Sequence, residues 1–319
     1  MFVQQYQGSS ELICAELIKG LQAPEALLSP KFLYDRLGSK LFEAITELPE
    51  YYLTRTENWI FRTYLQDIAK HIGSGCTLID LGAGNCEKAA HLFECLRPKQ
   101  YVAIDISVEY LRTTLARLHH QWPTIPMLGF GADFSSKLEL ASTVFSSKRV
   151  FFYPGSSIGN FSVEQAGLML QQLAAQAGKD GWLLIGMDLL KSRAALQAAY
   201  DDPLQVTAAF NRNILLNVNR LLGADFVLSH FKHLAVFNRQ FSRVEMYLQA
   251  LQETRVRWGA LGGGARCFRQ GECIHTENSY KYSFKGAEEL LNNNGFCVSR
   301  YWFDPHKLFC VFLAKAREN

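Results

Sequence analysis

The sequence has no C-x-x-C pair among its eight cysteines, and this absence argues against a zinc site or an iron–sulfur cluster. It has no long run of lysine and arginine, and its net charge is only +3, so nucleic acid is not expected as a partner. It also lacks the stretch of about 18 apolar residues that a membrane span requires. The first residues, "MFVQQYQGSSELICAELIKG", lack the basic start and the apolar core of a signal peptide.

These absences favour a protein that works in the cytoplasm, holds no metal ion and does not contact a membrane. The cysteines are then reduced thiols, many of them buried as small apolar side chains. The remaining composition is that of an ordinary globular protein, with 48% hydrophobic and 20% charged residues. A length of 319 residues allows one large domain or two modest ones.

Apolar runs alternate with helical patterns through the middle of the chain. The runs are "CTLIDLGAG", "QYVAIDIS", "PMLGFGADF", "KRVFFYPGSSIGNF" and "GWLLIGMDLL". Strands that alternate with helices in this way predict an α/β fold of the Rossmann-like type, in which helices cover both faces of a parallel sheet. The last segment, "FCVSRYWFDPHKLFCVFLA", predicts two antiparallel strands that close the sheet at its edge.

Two regions do not fit this alternation, and we interpret them as one second, substrate-binding lobe. The predicted division places residues 56–191 and 285–319 in the cofactor domain, and residues 1–55 and 192–284 in the other. The second region contains "LGGGARCFRQGEC", whose three consecutive glycines predict a mobile loop tip.

The first apolar run ends in a glycine turn, at Gly82 and Gly84, before a helical pattern. Such a turn lets a ligand approach the backbone closely at the carboxyl edge of the sheet. A dinucleotide fingerprint requires a third glycine where Glu87 stands. Its absence favours S-adenosylmethionine (SAM), which has no pyrophosphate, over a nicotinamide cofactor.

Acidic residues follow the next two strands of the predicted sheet. Asp105 can accept hydrogen bonds from both hydroxyls of a ribose, and Asp133 is placed to accept from an adenine amino group. Lys88, in "LGAGNCEK", completes the predicted cofactor-binding set. A generic Rossmann-like fold, with Asp133 serving only a turn, is the alternative.

The fourth strand is not followed by the N/D-P-P-Y/F motif of enzymes that methylate nucleobase amines. The sequence there is "YPGSSIGNF", in which Asn160 can offer its amide to a small polar substrate. The alternative is a loop asparagine that bonds its own backbone.

Near the C-terminus, the segment "CIHTENSYKYSF" places a carboxylate and a hydroxyl two residues apart, at Glu277 and Ser279. In an extended chain, both point to the same face. They can bind a ring with two polar nitrogens, such as an imidazole. The alternative is a polar, solvated strand edge.

Taken together, several segments resemble one known family, the histidine-specific Nα-methyltransferases of ergothioneine biosynthesis. The segments are "FLYDRLGSKLFEAITELPEYYLTRTE", "LGAGNCEK", "GSSIGNF", "AAYDDPLQVTAAFNRNIL", "SRVEMYL" and "HTENSYKYS". They run in order from residue 28 to the C-terminal region. The resemblance implies transfer of three methyl groups from SAM to the α-amine of L-histidine, which gives hercynine.

The resemblance also implies roles for residues around the amino acid's head. Asn160 and Tyr200 would hold the head, and Tyr51 would help to position it. Tyr34 and Phe42 would face the amine that is methylated and are the predicted catalytic residues.

For the side chain of the substrate, the resemblance implies that Glu277 and Ser279 bind the two imidazole nitrogens while Met246 packs against the ring. The chain departs from the family at the glycine-rich segment and at Cys86, just after the glycine turn. A monomer is expected. Two alternatives remain open: the same fold acting on another aromatic or thiolated-histidine amino acid, and a catalytically silent SAM-binding protein.

Overall fold

The computed structural model describes residues 2–4, 10–133 and 138–317. In these ranges the helices are α1 Ser10–Gln22, α2 Arg36–Thr46, α3 Tyr52–Ile72, α4 Glu87–Ala90, α5 Phe93–Leu96, α6 Val108–Gln121, α7 Val163–Ala177, α8 Arg193–Tyr200, α9 Val206–Leu222 and α10 Phe284–Asn293. The strands are β1 Phe2–Gln4, β2 Ala26–Leu27, β3 Thr77–Leu81, β4 Gln100–Asp105, β5 Met127–Gly131, β6 Arg149–Tyr153, β7 Trp182–Asp188, β8 Phe231–Asn238, β9 Arg243–Ala250, β10 Thr254–Trp258, β11 Gly264–Phe268, β12 Cys273–Tyr280, β13 Phe296–Phe303 and β14 Phe309–Ala316.

The chain divides into two compact units. One contains β1, the described residues of Leu53–Leu190, and the described chain from Tyr280 onwards. The other combines Ser10–Tyr52 with Lys191–Ser279. The functional division predicted at residues 55, 191 and 284 stays a prediction.

The first unit is built on one large sheet with the strand order β1-β5-β4-β3-β6-β7-β14-β13. The six strands from β1 to β7 in this order are parallel to their neighbours, and β14 and β13 are antiparallel. The predicted parallel sheet and its closing antiparallel pair are therefore confirmed. Strands such as β3 and β5 are buried along their whole length, which explains why they are continuous apolar runs.

Strand alternation divides the side chains of this sheet between two cores. Ile79 and Val102 lie in the core that includes residues of α7 and α10. Leu78 and Tyr101 lie in the core on the opposite face, with residues of α3 and α6. Because both faces are covered, polar ligands can reach this sheet only at the strand ends.

The order of strands reverses beside β3, since the chain continues to β4 and β5 on one side and later to β6 and β7 on the other. Ligands of open α/β sheets bind outside the carboxyl ends of the strands at such a point. The register pairs Leu81 with Ile104 and Asp105 with Gly131, so the residues that follow these strands emerge at one edge.

The second unit contains a four-stranded sheet with the order β2-β12-β9-β8, against which α8 and α9 pack. The prediction of a loop over the whole glycine-rich segment was wrong, because Gly264–Phe268 forms β11 and pairs antiparallel with β10. Gly262 and Gly263, both with positive φ, make the turn before it. A side chain at Gly264 would collide with the ring of Trp258, so a glycine serves here inside a strand.

Within the described residues, no helix combines the length and the apolar character needed to cross a membrane. All eight cysteines are free thiols, and four of them are buried.

Candidate functional site

The glycine turn follows β3 directly and is open on its outer side. Gly82 and Gly84 have φ angles of +69° and +52°, a region that non-glycine residues rarely adopt. The N–H groups of Gly82 and Ala83 both donate to the carbonyl oxygen of Ile104, at 2.9 and 3.1 Å. An added Cβ at Gly84 would meet nothing closer than 4.0 Å, so space is left beside the backbone.

Asp105 lies at the end of β4 and fixes this turn. Its Oδ2 accepts from the N–H of Gly84 at 2.9 Å, and its Oδ1 accepts from the N–H of Ser107 at 2.8 Å. Burial raises the pKa of Asp105, and the backbone hydrogen bonds oppose that rise. Each carboxylate oxygen has a second lone pair, so this half-buried group can still accept from two neighbouring hydroxyls.

Asp80, in β3, is a second acidic residue near the turn, and the sequence did not assign it to the cofactor. Its side chain is only 2% exposed, and its Oδ2 accepts from the hydroxyl of Tyr101 at 2.7 Å. Within the described part of the chain, Oδ1 has no hydrogen-bond partner. Burial raises the pKa of Asp80 to about 7. A buried acceptor without a partner is costly, and a polar donor supplied by a ligand or a water would satisfy it.

Lys88, on α4, does not stand alone. Its Nζ lies 2.5 Å from Oε2 of Glu57, a carboxylate on α3 that is completely buried. The Lys88 side chain remains 28% exposed. Sequence reasoning did not select Glu57, although "YYLTRTE" ends on it, because a helical glutamate is usually solvated.

Asn160 ends a short 3-10 turn, Ser157–Asn160, that follows β6, and it is half-buried. The preceding residue, Gly159, must be a glycine, because an added Cβ there would lie 2.8 Å from the carbonyl oxygen of Tyr280. Asp133 is also half-buried and lies two residues after β5, next to the undescribed residues 134–137.

These residues of the first unit fit SAM, which carries a ribose diol, an amino group and a carboxylate. The turn leaves backbone space, Asp105 has acceptor capacity for the diol, and the exposed part of Lys88 can meet a carboxylate. The orphaned oxygen of Asp80 adds a buried acceptor to the same edge of the sheet.

In the second unit, the predicted aromatic residues form one cluster. The ring of Phe42 lies 5.5 Å from Tyr34 and 6.1 Å from Tyr51, measured between centroids, and Tyr51 lies 6.2 Å from Tyr200. Phe210, on α9, also belongs to the cluster, at 5.4 Å from Tyr34. Phe210 was missed because the helical pattern around it predicts an ordinary core residue.

Two polar side chains of α9 hold the segment that carries Tyr34. Asn217 donates to the carbonyl oxygen of Phe32 at 2.8 Å, and Asn213 donates to Asp35 at 2.7 Å. The same carboxylate caps α2 by accepting from the N–H of Gly38 at 2.8 Å. The start of α2, and with it the approach of Phe42, is therefore fixed from α9.

The predicted pair Glu277 and Ser279 lies on β12, with exposures of only 7% and 4%. Since β12 lies between β2 and β9, the alternative of a solvated strand edge is wrong. The Ser279 hydroxyl is 2.7 Å from the hydroxyl of Tyr200. Met246, on β9, is also buried.

The side chains of β12 do not alternate regularly. Nε2 of His275 and Oδ1 of Asn278 are 3.0 Å apart, although residues three apart point to opposite faces of a regular strand. The pattern is therefore interrupted between them, as at a β-bulge. Thr276 and Glu277, at this point of the strand, are consecutive and both buried.

The structure thus gathers Tyr34, Phe42, Tyr51 and Tyr200 into one cluster and joins Ser279 to Tyr200. The predicted cofactor residues and Asn160 belong to the first unit. The described part of the chain contains no group of three or more His, Cys, Asp or Glu side chains able to hold a metal ion. Which atoms each predicted residue would contact in a bound substrate or cofactor stays a prediction.

Comparison with known proteins gives a family match over nearly the whole chain. Residues 13–316 match the family described as histidine-specific methyltransferase, SAM-dependent. A histidine N-alpha-methyltransferase from Mycolicibacterium smegmatis is 36% identical over 311 residues, which are 96% of each chain.

Two other relatives differ in length or in name. The ergothioneine biosynthesis protein 1 of Neurospora crassa is 30% identical over 89% of this chain, which spans 33% of that protein. A 4-dimethylallyltryptophan N-methyltransferase from Claviceps purpurea is 24% identical, with 90% of each chain covered.

Proposed function

The chain belongs to the SAM-dependent histidine-specific methyltransferases, and we propose from this premise that it trimethylates the α-amino group of L-histidine to give hercynine, in ergothioneine biosynthesis. The observation that carries the proposal is the buried pair of Glu277 and Ser279 on β12, with Ser279 bonded to Tyr200. These groups offer a carboxylate and a hydroxyl to the two nitrogens of an imidazole.

SAM supplies the methyl group in activated form, on a sulfonium. The chain's own contribution is to hold the cofactor in place. The open glycine turn would admit it to the backbone, Asp105 would accept from its ribose, and Lys88 would meet its carboxylate. Asp133 would accept from its adenine amino group.

The amine that attacks must be neutral, and a free α-amine has a pKa near 8. The amine would lie beside the rings of Tyr34, Phe42 and Tyr51, none of which carries a negative charge at neutral pH. An apolar surrounding lowers the pKa of an amine and so favours its neutral form. The hydroxyl of Tyr34 can hydrogen-bond the amine in the early rounds or relay its proton onward to water.

The third transfer produces a quaternary ammonium ion. Aromatic faces stabilise such a cation by roughly 0.5–2 kcal/mol each. Tyr34, Phe42 and Tyr51 offer these faces without a carboxylate, which would hold the amine of the first round in its protonated form.

Selectivity follows from the buried carboxylate. Glu277 accepts from one imidazole N–H, and the Ser279 hydroxyl can donate to or accept from the other nitrogen. A leucine or phenylalanine side chain in that place would leave Glu277 without the donor it meets in histidine, and such mismatches are strongly disfavoured.

A second candidate is another aromatic amino acid, because one relative is named for a tryptophan derivative. Histidine is favoured over it by the carboxylate and hydroxyl of β12, which suit a ring with two polar nitrogens.

The remaining parts of the proposal are a monomer that works in the cytoplasm, without nucleic acid or membrane as partners. The net charge of +3 supports the part on nucleic acid, and the eight free thiols support the cytoplasm.

The test is mass spectrometry of the reaction of the protein with SAM and L-histidine. The expected products are heavier than histidine by about 14, 28 and 42 Da, with the last accumulating as the methyl groups add one by one. Phenylalanine and tryptophan are run in parallel as competing substrates. Methylation of either as fast as histidine, or no product from any of them, contradicts the proposal.

A further inference from the structure

Glu57 is the most deeply buried carboxylate near the predicted cofactor residues. Its side chain has no exposed surface, and it makes two close polar contacts. Oε2 lies 2.5 Å from Nζ of Lys88, and Oε1 accepts from the N–H of Gly155 at 2.7 Å. A buried carboxylate is retained where it is paired and hydrogen-bonded, and Glu57 has both kinds of contact.

The surrounding backbone is shaped to admit this carboxylate. An added Cβ at Gly186, in β7, would collide with Oε1 of Glu57. Gly155, whose N–H donates to the carboxylate, has a φ of +78°, a conformation that favours glycine. Glycines on two different segments therefore leave room for one side chain, which fixes where its charge can lie.

The first consequence concerns Lys88. A lysine has a flexible stem and three N–H donors, and it loses much rotamer freedom when it is held in one place. The contact with Glu57 orders the stem and occupies one donor direction. The Lys88 side chain is 28% exposed, and two of its three N–H donors are not used by Glu57, so they can serve a ligand.

The second consequence concerns the loop after β6. Gly155 begins the segment that ends at Asn160, and the N–H of Gly155 donates to the carboxylate of Glu57. The same segment is fixed further along, since Gly159 packs against the backbone of Tyr280. One carboxylate on α3 is thus bonded both to a predicted cofactor residue and to the loop of a predicted substrate residue.

We propose that Glu57 is a positioning residue for the cofactor: it acts through Lys88, which it presents to the cofactor's carboxylate, and it holds the Gly155–Asn160 loop in register with that lysine. The proposal rests on the cofactor role proposed for Lys88. A carboxylate that served stability alone would affect unfolding without a specific effect on cofactor affinity.

The experiment measures binding of S-adenosylhomocysteine to the full chain by titration calorimetry, without histidine. The variants are Glu57→Gln, Lys88→Met and the double variant. Glu57→Gln keeps an acceptor for Gly155 but loses the ion pair, so we expect its Kd to rise about 10-fold. Lys88→Met is expected to weaken binding at least as much, and the double variant no more than Lys88→Met, because Glu57 acts through the lysine.

The matched control is Glu289→Gln, the same chemical change in an exposed ion pair with Lys285 on α10, and its Kd is expected to equal that of the parent. If Glu57→Gln does not fold, Glu57→Asp serves instead. It keeps the charge but is too short to reach both partners, and a rise in Kd is again expected.

Three results overturn the proposal: a folded Glu57 variant that binds like the parent, a Lys88→Met variant that binds like the parent, or a double variant whose loss is the product of the single losses. If the parent binds S-adenosylhomocysteine and the variants behave as expected, but histidine is not methylated, the positioning role stands and the proposed substrate is wrong.

Discussion

Replacing Glu277 with glutamine removes one negative charge from β12 and changes the shape of the side chain very little. The position is only 7% exposed, so bulk water cannot replace a lost interaction with the substrate. A hydrogen bond to a charged group contributes about 1.5–3 kcal/mol, against about 0.5–1.5 kcal/mol for a neutral one. The difference of about 1–2 kcal/mol corresponds to a loss of roughly 5- to 30-fold in kcat/KM for histidine.

The assay is steady-state kinetics with histidine, phenylalanine and leucine at saturating SAM. We expect kcat/KM to fall for histidine and to stay level or rise for the two apolar amino acids. Their side chains offer no N–H to the Glu277 carboxylate of the parent, and the variant no longer has this buried charge. The selectivity ratio, rather than the rate alone, is the quantity that reports the proposed contact.

Glu245→Gln is the matched control. Glu245 lies on the adjacent strand β9, is 6% exposed, and already accepts hydrogen bonds from Arg243, Tyr247 and Asn238. Its replacement is expected to lower stability without changing selectivity. The reasoning is refuted if the folded Glu277→Gln variant keeps the selectivity of the parent, or if Glu245→Gln loses it equally.

Two other predictions follow from groups described above. Phe42→Leu keeps an apolar side chain but removes a ring face, so the third methylation is expected to slow by about 2- to 30-fold relative to the first. Product ratios over time measure this, with Phe226→Leu in a separate aromatic cluster as control; equal slowing of all three steps contradicts it. Burial raises the pKa of Asp80 from 3.8 to about 7. Between pH 4 and 7 the folded state therefore keeps a proton that the unfolded state loses, and the free energy of unfolding falls as the pH rises through this range. Urea unfolding of the parent and of Asp80→Asn should therefore show the parent losing on the order of 4 kcal/mol relative to the variant across this range; parallel curves would be the contrary result.

The central sheet was predictable because its strands can be recognised from the local sequence. Strands such as β3 and β5 are covered on both faces, and this burial requires unbroken apolar runs that are visible in the sequence. The short strand β1 was not predicted, because its three residues gain their partner only in β5, more than a hundred residues later. Gly264–Phe268 was mistaken for a loop because the covering ring of Trp258, which makes a glycine useful there, is a tertiary contact.

The candidate site was predictable to the extent that its residues stand in recognisable segments. Glu277 and Ser279 stood out by their spacing, and the aromatic residues by their resemblance to a family. Glu57 and Asp80 were missed, since a glutamate in a helix and an aspartate in a strand acquire their significance only from burial and partners. Local sequence carries neither quantity.

The interruption within β12 has a consequence for how such a site can change during evolution. Half-buried and buried residues alternate from Cys273 to Thr276, and beyond the interruption Glu277 and Ser279 are buried on either side of the half-buried Asn278. Losing one residue there would bring the halves into phase and turn the downstream side chains over, without replacing any of them. If Glu277 and Ser279 bind the substrate as proposed, selectivity depends on the number of residues in β12 as well as on their identity. A relative that lacks one residue at the interruption, but keeps Glu277 and Ser279, is then expected to differ in substrate.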